Sequence, residues 1–266
     1  MRRVAATRGR QRRWFALAAE VSAAAAVAAA PQLARGQSDD AASSPLPFAV
    51  GERLNYRVRV GPAGSIGKGS MWIEGPVDVR GQQTYLLRSD FQARVMWIRA
   101  FDKSDTWLDP ARMAVLRSSR IEQQPLSKSN ELVDVFPEER RWADAGGAGG
   151  ETASDAPLDE LSFIYYIRTL CLAPDSAYSV NRHYDIAKNP VSIRVTGRQV
   201  VATDAGTFNT VVVEMRVKDP RHFKGEGGLI KLFLSDDRRH LPVRIESDAP
   251  LFGKAVFTLE SVQTKS

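Results

Sequence analysis

The densest run of chemically capable side chains is Ser235–Ile245, SDDRRHLPVRI, which sets Asp236, Asp237, Arg238, Arg239 and His240 side by side. A carboxylate beside an imidazole can trade protons with a substrate, and neighbouring guanidinium groups can hold an anion. Such chemistry also needs a nucleophile or a second acid held on a rigid scaffold. The chain has no G-x-S-x-G elbow to supply one. Its other histidines, His183 and His222, have no metal-ligand spacing to His240 or to each other. Asp and Ser bond readily to their own backbone, and proline suits a strand start. The stretch therefore reads as a polar turn between the strands IKLFL and LPVRI.

Other candidates contract in the same way. GPAGSIGKGS carries Lys68 and Ser70 but lacks the order G-x-x-x-x-G-K-[ST], so it reads as a hairpin turn opening a strand. HFKGEGG, from His222, reads as a mobile lip between strands. Glu138, Glu139, Arg140 and Arg141 read as a solvated turn. The single cysteine, Cys171, sits in the apolar run YYIRTLCL and reads as a buried inert thiol. No catalytic residue, metal site or cofactor is expected. The enzymatic alternative is a hydrolase built on scattered acids such as Asp105 and Asp236.

The elements that would position these groups are mostly strands. In RLNYRVRV, Leu54, Tyr56, Val58 and Val60 alternate with Arg53, Asn55, Arg57 and Arg59, the period of a half-buried strand. TYLLRSDF places Tyr85, Leu87 and Phe91 on one face. YSVNRHYDI places Tyr178, Val180, Tyr184 and Ile186 on one side. VSIRVTGRQVV, FNTVVVEMRV, KLFLSDD, LPVRIES and KAVFTLESV continue the pattern, with turn residues at hairpin spacing. About ten strands are expected, one face apolar and the other wet. Val95–Phe101 is ambiguous between helix and strand. Ala143–Pro157, rich in glycine, reads as a mobile connection. Leu158–Leu172 breaks the period: Leu161, Ile164, Tyr165 and Leu170 recur at helical spacing behind Asp155 and Pro157, with acids in the first turn. The fold class is mainly β: a single large curved antiparallel sheet, an open or closed barrel, wrapped around one long helix.

The N-terminus has a basic start, an apolar run over Ala16–Ala30 and then small residues, the layout of an export signal. With Glu20 discounted, the run falls well short of the ~20 residues that span a bilayer. Arg12-Arg13 before Trp14-Phe15 resembles a twin-arginine export motif. The organisation is then an export signal over 1–37, a flexible lead-in over 38–47 and a β-rich domain over 48–264. The chain holds 37 basic and 31 acidic residues; residues 1–37 account for seven arginines and one acid, leaving 30 of each. A neutral remainder gives no electrostatic footprint for nucleic acid. The expected location is periplasmic or otherwise extracytoplasmic, soluble after cleavage, with no integral membrane anchor remaining.

Five blocks together, PFAVGERLNYRVRV, GKGSMWIE, LDELSFIYYIRTL, VTGRQVVATDAGTFNTVVVEM and LFLSDDRRHLPVRIE, resemble domain-of-unknown-function family 3108 over nearly all of 48–262. The resemblance implies an exported bacterial β-rich protein and brings no catalytic residues. FLSDDRRHLPVRI with the strand through Phe252–Val262 is also similar to the closing hairpins of the envelope lipoprotein-carrier fold, whose half-barrels hold acyl chains. The expectation is a non-enzymatic envelope protein that binds lipid, an acyl chain or an envelope protein against the apolar face. Tyr56, Val58, Tyr85, Leu87, Tyr178 and Val180 are the expected cavity lining. A purely structural role in envelope assembly is the remaining alternative.

Overall fold

A computed structural model describes residues 45–61, 65–95, 98–124, 127–218, 227–249 and 253–264. The export signal with Arg12 and Arg13, most of the lead-in, and His222 lie outside the described residues. The described residues form one antiparallel sheet of fourteen strands. The first meander runs β1 (Glu52–Val60), β2 (Ser65–Val79), β3 (Gln82–Val95), β4 (Ile98–Asp109), β5 (Ala114–Gln124), β6 (Ser127–Phe136), β7 (Arg141–Asp144) and β8 (Gly149–Glu151). The second runs β9 (Ala177–Val180), β10 (Val191–Thr203), β11 (Gly206–Val217), β12 (Gly228–Ser235), β13 (Pro242–Ala249) and β14 (Gly253–Thr264). β1 pairs with β14, so the two meanders join through the first and last strands. The free edges are β8 and β9, and the sheet is not closed. One α-helix, α1 (Glu160–Ile167), lies in the chain between those two edges.

The hairpin grammar is visible at the tips. Arg80 and Gly81 both have positive φ (54° and 82°), the two-residue turn whose twist matches the flanking strands. Arg80 then reaches back to the Leu116 and Val135 carbonyls at 2.9 and 2.6 Å. Pro242 begins β13, and Asp236–Leu241 is the turn that the sequence implies.

Several expectations are corrected. There are fourteen strands rather than about ten. The glycine-rich connection contains a hairpin, β7–β8, closed around Asp144, whose side chain accepts from the Ala148 N–H at 2.7 Å. The ambiguous Val95–Phe101 splits between the end of β3 and the start of β4. The strand expected over Tyr178–Ile186 stops at Val180. Beyond it, Asp185 caps a short 3-10 turn, Ile186–Lys188, which leaves Tyr184 buried but Ile186 exposed. The helix is eight residues, not the whole of Leu158–Leu172. It starts where Asp159 accepts from the Ser162 N–H and Ser162 Oγ accepts from the Asp159 N–H, both at 2.8 Å, a reciprocal capping box. It ends in tight turns: Thr169 N–H bonds the Tyr166 carbonyl and Leu170 N–H that of Ile167. Cys171 follows that end and is exposed, not buried, because the apolar run has already left the helix.

Register defines an inner face. Residues directly opposite each other across antiparallel strands project from the same side. One row runs Val195, Val213, Leu232, Ile245, Phe257, Val58 and Gly67 to Ala93 across β10–β14 and β1–β3, and it is apolar throughout. The buried face of α1 (Leu161, Phe163, Tyr165 and Ile167) packs into the same core cluster. The expectation of a uniformly apolar face fails on β4–β6. The row Gly69–Phe91–Asp102–Glu122–Ser129 turns polar as it leaves β3, and the row Met71–Ser89–Ser104–Arg120–Glu131 is polar from β3 onward.

Candidate functional site: a polar patch on the inner face

The polar rows of β4–β6 converge on the N-terminal end of α1. Asp159 is almost fully buried, and its carboxylate is saturated. Oδ1 accepts from Ser162 N and Oγ at 2.8 and 2.7 Å, while Oδ2 accepts from Thr106 Oγ1 and Ser118 Oγ at 2.5 and 2.7 Å. Thr106 and Ser118 are opposite each other on β4 and β5, so one cap residue locks the helix start onto two strands. Four short hydrogen bonds occupy both oxygens of this carboxylate.

Next to it the groups are less enclosed. Arg120 Nη2 donates to Asp102 Oδ2 at 2.5 Å, and Glu122 lies 3.7 Å away. The Arg120 side chain nevertheless keeps 42% of its surface accessible, although its Nε has no hydrogen-bond partner. Burial opposes its charge, but Asp102, Glu160 and Glu122 outweigh that and raise its pKa further. Glu160, in the first turn of α1, accepts from Lys188 Nζ and faces His183 Nε2 at 3.4 Å. Burial pushes the Glu160 carboxyl up, but Lys188 and His183 together hold it well below the usual carboxylate range. His183 is fully buried, and its Nδ1 accepts from the Asp185 N–H at 3.0 Å, so the ring proton resides on Nε2, facing Glu160. His183 is thus a bracing residue, stacked against Phe163 with ring centroids 6.3 Å apart.

The polar patch borders an apolar wall. Phe91 on β3 is opposite Asp102 on β4, and both are half-buried. On its other side Phe91 meets Phe257 of β14, ring centroids 5.4 Å apart, across Gly69 of β2. Glycine keeps this approach open, since a Cβ on Gly69 would sit 3.3 Å from the Phe257 ring and press it aside by a few tenths of an ångström. Along one register row the inner face thus changes from aromatic to carboxylate within one strand spacing of ~4.8 Å.

The expected lining residues fall on this face but in different surroundings. Tyr56, Val58 and Leu87 are fully buried, and Tyr56 donates its hydroxyl to the Pro242 carbonyl at 2.9 Å. Tyr85, opposite Leu108, is half-buried against the core. Tyr178 and Val180 lie on β9 opposite Ile193 and Val191, and Tyr178 donates to the Cys171 carbonyl at 2.5 Å. No signal marked Asp102, Arg120, Glu122, Asp159 or Glu160 as a group, because they come from two hairpin strands and a helix start.

The opening cluster, Ser235–Ile245, serves the other end of α1. Arg168, fully buried, grips Glu52 with two bonds of 2.7 and 2.9 Å. Its remaining donors reach the Pro47 and Arg239 carbonyls at 3.0 and 3.2 Å. Phe48 and Tyr165 flank the guanidinium at 5.3 and 5.4 Å. Asp237 accepts from the Arg239 N–H at 2.9 Å and the Ser235 hydroxyl at 2.8 Å, and His240 Nδ1 meets the Arg168 carbonyl at 2.8 Å. The Asp236, Asp237 and His240 side chains each have a structural partner, Asp236 meeting Arg198 at 3.1 Å, and Asp105 is held by Arg88 at 2.8 Å. Among the described residues no cluster of His, Cys, Asp and Glu could hold a metal ion, and no helix is long and apolar enough to cross a membrane.

The family model for a protein of unknown function, DUF3108, matches residues 55–260. A β-barrel-like protein of domain of unknown function DUF1849 from Brucella abortus has the same fold at a TM-score of 0.54 and 11% identity. The match covers 82% of this chain and 98% of that one. A Bacteroides fragilis protein described as exported, with a YmcC-like fold, aligns over 82% of this chain and 97% of that one, at 10% identity and a TM-score of 0.31. No curated protein matches.

Proposed function

This chain belongs to the DUF3108 family of proteins of unknown function, and within that frame we propose that it is an exported, non-enzymatic envelope protein whose inner face takes an amphipathic guest. The sheet wraps α1, which fills one part of the interior, and the guest lies where the inner side chains remain half-buried. Its apolar portion, a lipid or acyl chain, lies along Phe91 and Phe257. Its polar portion meets Asp102, Arg120 and Glu122. The observation that carries the reading is the direct neighbourhood of Phe91 and Asp102 on one register row, both partly open to solvent. A purely structural module has no use for half-buried charge on its inner face, where its partial desolvation is a cost and it adds no packing.

The non-enzymatic reading is supported by the partners of the candidate groups. Asp159 is saturated, His183 is braced by its own loop, and no serine, cysteine or threonine lies against a free base among the described bonds. The export signal, with Arg12 and Arg13, supplies the route to the envelope. Titration of the purified protein with a fluorescent fatty acid tests the reading. Saturable binding that weakens at least tenfold in Phe91→Asp, with the fold retained by circular dichroism, is expected. Absence of saturable binding for both fatty acid and a fluorescent long-chain amine would overturn it and leave a structural or protein-binding module.

A further inference from the structure

The outer edge of β10 carries a second inference, independent of any guest. β9 covers β10 only from Val191 to Arg194, and Ser176 takes the Val195 N–H at 2.8 Å. Among the described residues nothing pairs with Arg198–Thr203 on that side, while β11 pairs with all of them on the other. The turn Asp204–Ala205 joins Thr203 to Gly206, and pairing alternates back from it. Gln199, Val201 and Thr203 therefore turn their backbone groups to β11. Arg198, Val200 and Ala202 direct theirs outward. Natural edges are guarded by proline, inward charge or extreme shortness. β8, the other edge, is short and rich in glycine. The β10 edge has one charge, no proline, and Val200, which is 61% exposed.

We propose that this edge pairs with the same edge of a second copy of the chain, antiparallel about a two-fold axis through Val201. That register sets Val200 opposite Ala202 of the other copy, so two reciprocal pairs of backbone bonds form and the exposed Val200 is covered. It also sets Arg198 opposite Asp204 of the other copy, at both ends of the paired segment. Both are exposed on the single chain, where Arg198 meets Asp236 at 3.1 Å and Asp204 meets Arg57 at 2.5 Å. The edge is complementary to itself in backbone and in charge, which selects a second copy over an unrelated strand.

Light scattering on the protein purified from the envelope fraction tests this. The wild type is expected to run as a dimer, as is Leu132→Lys, which changes an exposed residue on the distant strand β6. Val200→Lys should run as a monomer with an unchanged far-UV circular dichroism spectrum. Arg198→Asp should weaken the dimer at least tenfold, and adding Asp204→Arg should restore it. A monomeric wild type, or a dimer indifferent to Val200→Lys, would overturn the proposal. So would a dimer lost equally in Leu132→Lys. A nitroxide on Val200→Cys in a Cys171→Ser background gives an independent reading: a label-to-label distance of about 20 Å or less is expected from paired edges, and no dipolar coupling would contradict it.

Discussion

Two charged clusters lie at the two ends of one short helix and behave differently. At the C-terminal end, Arg168 and Glu52 are sealed, with side chains 0% and 6% accessible, and every guanidinium nitrogen is paired. At the N-terminal end, Arg120, Asp102 and Glu160 stay 42%, 27% and 33% accessible, and Arg120 keeps an unpaired Nε. A closed cluster of this kind fixes geometry. It ties the lead-in at Pro47, strand β1 at Glu52, the helix end and the β12–β13 turn into one joint. The open cluster keeps parts of Arg120, Asp102 and Glu160 within reach of solvent. On the proposed reading, charge alone does not mark the guest-binding end; its accessibility does.

The contrast breaks most severely at the sealed joint. Arg168→Met strands the Glu52 carboxylate among Phe48 and Tyr165, and a lone buried charge costs about 3–5 kcal/mol. Urea unfolding should show that loss, and Glu52→Leu combined with Arg168→Met should recover much of it. Asp159→Ala comes next. It removes the helix cap and leaves the Thr106 and Ser118 hydroxyls without an acceptor, for about 2–3 kcal/mol in the same assay. Asp159→Asn, which keeps a cap oxygen, should lose less.

The open cluster should show itself in pH rather than in size. The Glu160 carboxyl is depressed in the folded chain by Lys188 and His183. A depressed carboxyl stabilises the fold fully above its unfolded pKa, about 4.3, and that contribution fades as pH falls through the folded value. The urea midpoint should therefore hold from neutrality to about pH 5 and decline below it, and Glu160→Gln should flatten the decline. Arg120→Ala should change stability by about 1 kcal/mol or less, because its ion pair is half open, yet should abolish discrimination between guests with different head groups in the titration. The smallest effect belongs to the turn. His240 sits at φ +42°, where glycine is at ease. His240→Gly should lie within about 0.5 kcal/mol of wild type, and His240→Ala about 1 kcal/mol below it, having lost the bond to Arg168 without gaining the backbone freedom.

The strands were legible where one face was apolar and the other charged. β1 alternates cleanly because Tyr56 and Val58 meet the core while Arg57 and Arg59 meet solvent. The same logic hid the polar patch. On β5 the residues Ser118, Arg120 and Glu122 face inward and Ser119 and Ile121 outward, so a polar inner face beside a mixed outer one leaves no alternation to read. The helix was legible in place but not in length. Arg168 continues the helical spacing of YYIRTLCL on paper, yet its side chain is pulled to Glu52, 116 residues away in sequence, and the chain turns there. Cys171 looked buried for the same reason. The loop after β9 was misread because Tyr184 is buried by contact with Trp142, ring centroids 5.7 Å apart, and not by a strand partner.

The most direct test of the account is the content of the inner face as the protein leaves its host. The protein is purified from the envelope fraction without detergent, extracted with organic solvent and analysed by mass spectrometry beside Phe91→Asp prepared in the same way. One amphipathic species near stoichiometric amount in the wild type, and depleted in the variant, is the predicted result. An extract free of lipid, or one equal in both proteins, would contradict the claim that the aromatic-to-carboxylate border is a binding surface.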